Sequence, residues 1–419
     1  MKVAFFVGAF PGLSETFILD QITGLLDRGH EVDVYGWPSE DAQSHDDVTE
    51  YGLMERTYTA PALPDSYAKR VAKGMGVLGR LLVDTPEVIR TLNVFRYGRL
   101  AASLRLLYAS TPHVLRQKKE YDIAHCHFGQ NGILALALRE LEFLRAKRVL
   151  ASFHGHDVYV DVPRYSSWFR RFLFKRGDGF TVNSEYTAQS VLDLGGTEEE
   201  IQILPVGLDV ESFSYQARFR ENGSPVRVLT VGRLVEKKGI QYAIRALAQL
   251  SPNLSFEYRI VGGGPRRDEL EGLVQNLGLE NEVTFLGALP KEEVRRQYQW
   301  AHIFTLPSVT AADGDREGQG LVLQEAQACG LPVIATRHNG FPEGVQEGES
   351  AILVPERNVD ALADALKSLS DQEHRWEAMG RCGRAFVESR YDSEALNERL
   401  VNIYRDLLSG DEKPAGHSR

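Results

Sequence analysis

The sequence predicts an α/β protein built from two doubly wound, parallel-sheet domains, and three observations carry that prediction. Short apolar runs recur along the chain, each followed by a helical pattern or a tight turn, which is the order that builds parallel sheets. The chain has 419 residues, too many for one ordinary core and suited to two. A polar, Pro-containing stretch, ARFRENGSP at 217–225, interrupts the alternation near its middle.

In the first half the expected strands are Lys2–Gly8, Glu31–Trp37, Asp122–His127, Arg148–Phe153, Gly179–Val182 and Gln202–Pro205. In the second half they are Arg227–Val231, Tyr258–Val261, Val283–Leu286, Ile303–Leu306, Val333–Ala335 and Ala351–Val354. The expected domains are 1–205 and 206–390, then a C-terminal helix within 391–410 and a disordered tail at 411–419. MKVAFFVGAF reads as a first strand rather than an export signal, because its apolar core is very short and no small-residue cleavage site follows. No apolar run reaches the ~18 to 20 residues of a spanning helix. Hydrophobic residues make up 43% of the chain and charged residues 25%, a balance that points to a water-soluble globular protein. Cys126, Cys329 and Cys382 lack metal or disulfide spacing, which favours a reducing cytoplasm.

Charge is unevenly spread. Between Ser66 and Lys119, eleven Lys or Arg face only Asp84 and Glu87, so this segment carries +9 and leaves −19 on the rest of a chain whose net charge is −10. Apolar residues are interleaved (Val77, Leu78, Leu81, Leu82, Leu100, Leu104, Leu106, Leu107, Tyr108), and WFRRFLFKR at 168–176 repeats the chemistry. Basic amphipathic helices of this kind suit an anionic membrane surface, although solvated faces over ordinary core helices would leave the same pattern. Nucleic acid fits less well, because the acidic remainder would repel it.

The stretch from Asp313 to Glu343, DGDREGQGLVLQEAQACGLPVIATRHNGFPE, is the most informative. Glu317 lies in a Gly-rich loop, and Glu325 follows eight positions later inside an apolar run read as a short buried helix. Gly330 and Pro332 stop that helix. Backbone N–H groups at a helix start favour phosphate or electron-rich oxygen, and carboxylates favour hydroxyl donors. A nucleotide sugar offers both. A calcium loop is the competing reading, with Asp313, Asp315, Glu317 and Gly318 at positions 1, 3, 5 and 6, but position 12 is Gln324 rather than a bidentate carboxylate. A solvated acidic turn would explain Asp313 and Asp315 and leave Glu325 without a reason. Elsewhere, Arg233 and Lys238 follow the Arg227–Val231 strand and can hold a diphosphate by a planar fork and a point charge.

The ordered match Glu317, Gly318-Gln319-Gly320, Glu325-Ala326, Ala328, Gly330, Pro332-Val333 resembles the E-x7-E signature of the family 4 retaining glycosyltransferases, which have the GT-B fold. The resemblance is to bacterial exopolysaccharide and colanic-acid-type enzymes. It implies two Rossmann-like domains facing a central cleft, with the last helix crossing back to the first domain. Arg233 and Lys238 then bind the donor diphosphate and take charge on the leaving nucleotide. Glu325 binds ribose hydroxyls, and Glu317 with the N–H groups near Gly320, Leu321 and Val322 holds the donor sugar. Gly12, Gly232, Gly263 and Leu286 border the donor. His154, the His before Gly155, touches the donor sugar, while His127, His156 and Asp157 are expected on the acceptor side. Gln319 replaces the usual aromatic residue, so donor choice is expected to be written there. No third ligand accompanies His125 and His127, or His156 and Asp157, at metal-site spacing.

The implied reaction is metal-independent, retaining transfer from a UDP- or GDP-sugar, with same-face attack and no covalent nucleophile. The acceptor is expected to be a lipid-linked glycan of cell-surface polysaccharide synthesis, and the protein to be cytoplasmic and peripheral on the inner face of the membrane. A GT-B epimerase, a non-catalytic nucleotide-sugar sensor and a two-lobed solute-binding protein are the alternatives; the last would need an export signal.

Overall fold

The computed structural model describes residues 1–11, 16–39, 46–115, 119–160 and 166–410. The chain forms two compact units. The first comprises Met1–Val182, Ala188–Leu204 and the chain from Asn397 onward; the second comprises Asn183–Thr187 and Pro205–Leu396.

The first unit holds a seven-stranded sheet of β1 (Lys2–Phe10), β2 (Glu31–Pro38), β3 (Thr57–Thr59), β4 (Glu120–His127), β5 (Arg145–Phe153), β6 (Gly179–Val182) and β7 (Ile201–Ile203). Its order is β3-β2-β1-β4-β5-β6-β7, and every pairing is parallel. The order reverses between β1 and β4, the place where open α/β sheets bind ligands at the carboxyl ends of their strands. The edge strand β3 was not expected: three residues are too few for alternation to show. The helix Gly129–Glu140 is apolar almost all round and lies fully against the sheet. The part of the Ser393–Ser409 helix that belongs to this unit is tied down twice. Tyr404 Oη lies 2.7 Å from His125 Nδ1, and Arg148 Nε donates to the Leu407 carbonyl at 2.9 Å.

The basic segment resolves into the Tyr67–Asp84, Val94–Ala102 and Arg105–Leu115 helices. Part of its apolar content is core: Leu81, Leu106, Leu107 and Tyr108 are buried, and Val77, Leu78, Leu82 and Leu100 pack against them. Another part is exposed, namely Met75, Val83, Ile89, Val94 and Phe95. The 168–176 cluster does not extend that basic apolar face. Phe169, Phe172, Leu173 and Phe174 are buried in the first core, Arg176 pairs with Glu140, and Arg170 Nε donates to the Leu194 carbonyl. Its three phenylalanines therefore belong to the core. Among the described residues, no helix is long and apolar enough to cross a membrane.

The second unit holds a six-stranded parallel sheet of β8 (Val226–Val231), β9 (Phe256–Val261), β10 (Val283–Gly287), β11 (Ile303–Leu306), β12 (Val333–Thr336) and β13 (Ala351–Val354). Its order is β10-β9-β8-β11-β12-β13, so the reversal lies between β8 and β11. Successive strand residues alternate between two cores, as the period of a strand requires. Val228, Ile260, Ile303 and Ile334 enter one; Leu229, Val261, Phe304, Val333 and Ala335 enter the other.

Two core histidines make the first unit acid-sensitive. His113 stacks on Tyr35 with ring centroids 4.3 Å apart, and His125 is closed in by Tyr404 and Ser152. Burial lowers the pKa of His113 to about 3, and burial with a smaller contribution from His154 does the same for His125. Because the folded value lies below the unfolded one, the stability these groups contribute is present above about pH 6.5 and is lost as pH falls. Each should cost about 1.4 kcal/mol per pH unit in that range. Urea titrations at pH 7 and pH 5.5 should show lower stability at the acid value. His113→Phe should remove part of that slope, whereas an unchanged slope would show that His113 takes up no proton on unfolding.

Candidate functional site

The second unit builds a charged site on the loops that follow β8 and β11, on either side of its strand-order reversal. Beyond β8, Lys238 is buried, and Gly239 turns the chain with φ +64° into the Ile240–Leu250 helix. A Cβ on Gly239 would lie 1.8 Å from the Pro307 carbonyl oxygen, so only glycine lets the β8 loop close against the β11 loop. The two loops are also joined by the Val309 N–H, which donates to the Lys237 carbonyl at 2.8 Å. Lys238 Nζ is 3.1 Å from Glu317 Oε2, Lys237 Nζ is 3.6 Å from Glu317 Oε1, and Lys237 also reaches Asp315 at 3.1 Å. Burial pushes the Glu317 pKa up, but Lys238 and Lys237 outweigh it and hold the carboxyl below its ordinary value. Glu317 is thus a buried carboxylate that stays ionised. Arg233, on the same loop beyond β8, is exposed.

Gly320, at φ +75°, opens the Leu321–Ala328 helix, and a Cβ there would lie 2.5 Å from the Phe341 ring. The Leu321 and Val322 amides belong to the first turn, where no intrahelical acceptor exists. One turn on, Glu325 Oε2 accepts a 2.6 Å hydrogen bond from the buried Tyr298 hydroxyl. Burial raises the Glu325 pKa, and the Tyr298 bond offsets part of that rise. The two carboxylates therefore differ by environment: Glu317 has two ammonium partners, Glu325 a single neutral donor.

A relay behind Glu317 fixes its backbone. The Glu317 N–H donates to His338 Nε2 at 3.1 Å, and Asn339 Nδ2 donates to the Glu317 carbonyl at 2.7 Å. His338 is fully buried and its Nδ1 meets Glu356 Oε1 at 2.5 Å, while Glu356 Oε2 accepts the Thr310 N–H at 2.9 Å. Since Nε2 accepts, the proton must reside on Nδ1, the tautomer that a carboxylate at that nitrogen favours. Burial lowers the His338 pKa despite Glu356, so the neutral ring persists at neutral pH.

In the first unit, the ends of β4 and β5 bring histidines together. His127 Nδ1 is 3.0 Å from His154 Nε2, and the rings stack at 5.2 Å. Phe17 packs on His154 at 4.7 Å. Burial lowers the His154 pKa to about 3 and drives that of His127 far below its ordinary value, so both are neutral hydrogen-bonding groups. The Asp157 carboxylate accepts the N–H groups of Gly129 at 2.9 Å and of His154 and Gly155 at 3.2 Å. Burial raises its pKa to about 6 against those bonds.

The structure gathers Lys238, Glu317, Gly320, Leu321, Val322 and Glu325 on neighbouring loops of one unit, with Gly232, Arg233, Gly263 and Leu286 at the ends of β8, β9 and β10. Beside Gly263 the space is open. Three expectations need correction. Asp157 is fully buried and holds a turn, so its carboxylate has no acceptor to meet. His127 is also fully buried and backs His154 instead of lining an acceptor surface. Gln319 is buried, with its amide paired twice to Val206: Oε1 accepts the N–H at 2.7 Å and Nε2 donates to the carbonyl at 2.8 Å. Its side chain is a loop anchor, committed to the Val206 backbone. Gly12 and the side chain of His156 lie outside the described residues. The EF-hand reading also fails on geometry, because Asp313 caps its own turn by accepting the Asp315 N–H and Asp315 is taken by Lys237. Lys237, Tyr298, His338, Asn339 and Glu356 escaped the sequence reading. Of these only Lys237, adjacent to Lys238, carried a local signal.

Comparison with known proteins shows the family. The family model "Glycosyltransferase Family 4" matches residues 14–212, and "Glycosyl transferases group 1" matches residues 212–386. The glycosyltransferase WcaL of Salmonella typhimurium, assigned to colanic acid biosynthesis, is 35% identical over 97% of this chain and 100% of its own length. A GDP-mannose-dependent alpha-(1-6)-phosphatidylinositol monomannoside mannosyltransferase of Mycobacterium tuberculosis is 34% identical over 70% of this chain and 77% of its own. The crystal structure of Anabaena HepE in complex with UDP and glucose shares the fold, with a TM-score of 0.68 at 18% identity over 97% of this chain and 100% of that one. The chain belongs to the GT-B glycosyltransferases that join a family 4 domain to a group 1 domain.

Proposed function

We propose that the protein is a retaining transferase that moves a sugar from a UDP- or GDP-sugar to a hydroxyl of a lipid-linked glycan in cell-surface polysaccharide synthesis, without a metal cofactor. The observation that carries this reading is the pair Glu317 and Glu325 flanking the Gly320 helix start, with Lys238 against Glu317. On binding, Lys238 and the exposed Arg233 take the donor diphosphate, placing fixed positive charge where the leaving nucleotide develops negative charge. Glu325 keeps one oxygen on Tyr298 and offers the other to ribose hydroxyls. Glu317, with the Leu321 and Val322 amides, holds the donor sugar. His154, neutral and set by His127, supplies a hydrogen bond to a sugar hydroxyl. The acceptor proton passes to the departing diphosphate oxygen on the same face, so no side chain acts as a covalent nucleophile.

Support for the acceptor class comes from the +9 segment and its exposed apolar residues. The names of the relatives, one tied to colanic acid and one to a phosphatidylinositol mannoside, point the same way. We therefore place the protein in the cytoplasm, on the inner membrane face, held by anionic lipid. The deciding experiment incubates the protein with labelled UDP- or GDP-hexoses, a lipid extract and EDTA, and reads the anomeric configuration of the product. A retained anomer is expected. An inverted anomer, a requirement for divalent metal, or an epimerised donor in the absence of acceptor would overturn the reading.

Glu317→Gln should lower kcat by about a hundredfold or more, because the charge facing the sugar is removed and the buried Lys238 is left without its carboxylate partner. Near-normal kcat would remove Glu317 from the chemistry. His338→Phe should lower kcat by about tenfold to a hundredfold through misplacement of Glu317, with nucleotide affinity little changed; equal losses in both would indicate general disruption instead. Glu325 has a raised pKa, so its acceptor capacity is lost as pH falls through that value. Donor affinity measured from pH 7.5 downward should weaken more in the wild type than in Glu325→Gln, and parallel profiles would contradict the ribose assignment.

A further inference from the structure

A cavity of about 440 Å³ opens in the basic segment of the first unit, between the Tyr67–Asp84 helix and the chain from Arg99 to Arg105. Its walls are apolar where Leu100, Ile133 and Trp168 meet it, and three arginines, Arg70, Arg99 and Arg105, border it. No Asp or Glu is among its described lining residues.

The cavity is built, not incidental. Gly98 stands at φ +47° on the Val94–Ala102 helix, and a Cβ there would fall 2.5 Å from the Trp168 ring. Backbone therefore rests directly on the indole that forms one wall, which only glycine permits. Arg70 is oriented by its own bond to the Pro64 carbonyl at 2.9 Å, and its backbone carbonyl accepts the Tyr108 hydroxyl at 2.8 Å. The Arg105 guanidinium lies over the Trp37 ring at 5.2 Å. Glu140 is committed to Arg96 and Arg176.

Three guanidinium groups around one cavity call for an anion with several oxygens, and phosphate matches their planar fork. The apolar walls call for a hydrocarbon in the same ligand. A free nucleotide satisfies only the first demand and a fatty alcohol only the second. The same stretch of chain exposes Met75, Val83, Ile89, Val94 and Phe95, apolar side chains suited to the headgroup boundary of a bilayer.

We propose that this cavity binds the phosphate-bearing head and first apolar segment of the lipid that carries the acceptor glycan. The assignment rests on the lipid-linked acceptor proposed above and gives it an address on this chain.

The test uses the full-length protein and farnesyl diphosphate as probe, with inorganic diphosphate and farnesol as controls carrying one feature each. Farnesyl diphosphate should bind at least about tenfold more tightly than either control, since farnesol forfeits the charge-assisted hydrogen bonds and inorganic diphosphate the apolar burial. Arg99→Gln should weaken it by about tenfold, and Ala102→Trp, which fills the cavity from its rim, should abolish binding. Lys238→Ala should leave the probe's affinity unchanged, which separates this cavity from the donor diphosphate pocket. Thermal stabilisation of each cavity variant by UDP- or GDP-sugars should match the wild type and so report correct folding. Equal binding of inorganic diphosphate, or undiminished probe binding by Ala102→Trp and Arg99→Gln, overturns the assignment. If anionic vesicles still bind the protein when the probe does not, the cavity is wrong and the membrane reading stands. If the vesicles also fail to bind, both fall.

Discussion

An ionised carboxylate kept inside the protein is the constraint on which the donor-side architecture rests. Glu317 is nearly closed from solvent, its side chain only 12% exposed, and an isolated charge in that position would neutralise itself or unfold the loop. Lys238 and Lys237 prevent this, and their own burial is tolerated for the same reason. The pairing requires the β8 and β11 loops to meet, which in turn requires glycine at 239. It also requires the Glu317 backbone to stay in place, which falls to His338, Asn339 and Glu356. Removing one partner of such a buried pair costs more than the pair contributes, since the survivor is left uncompensated. The site is therefore a closed set of mutual obligations, in which each charged group is held by the others.

The first unit solves a different problem with neutral groups. His125, His127 and His154 sit close enough that two imidazolium ions would repel, and burial keeps all three uncharged. Asp157 is the counterpart of a helix cap: its carboxylate collects three backbone N–H groups and so fixes the turn that carries His154. The chemistry available there is hydrogen bonding by an oriented neutral ring, whereas the second unit offers fixed charge.

Much of this was legible in the sequence because it is local. The doubly wound fold shows in the strand–helix alternation, and Glu317 with Glu325 shows because their spacing falls within one loop and one helix. What stayed hidden is what the fold brings from afar. Tyr298 lies 27 residues from Glu325, and Glu356 reaches His338 across 18; neither distance has a periodic signature. Gln319 misled for a related reason. Position in a motif suggested a ligand contact, yet a buried primary amide finds its best partner in an unpaired backbone segment, and Val206 supplies one donor and one acceptor in register. The 168–176 cluster misled because basic and aromatic residues alternate both at a membrane and on a helix whose aromatic side is core; only packing distinguishes the two.

The central claim, that the second unit is a nucleotide-sugar pocket whose diphosphate is held by Arg233 and Lys238, is tested most directly by calorimetric titration of a panel of UDP- and GDP-sugars. The wild type should bind one nucleotide class with a stoichiometry of one. The doubly substituted Arg233→Ala, Lys238→Ala protein, shown to be folded by its melting transition, should lose at least about a hundredfold in affinity, since two charge-assisted hydrogen bonds disappear together. Equal affinity in the two proteins, or no binding of any nucleotide sugar by the wild type, would contradict the account.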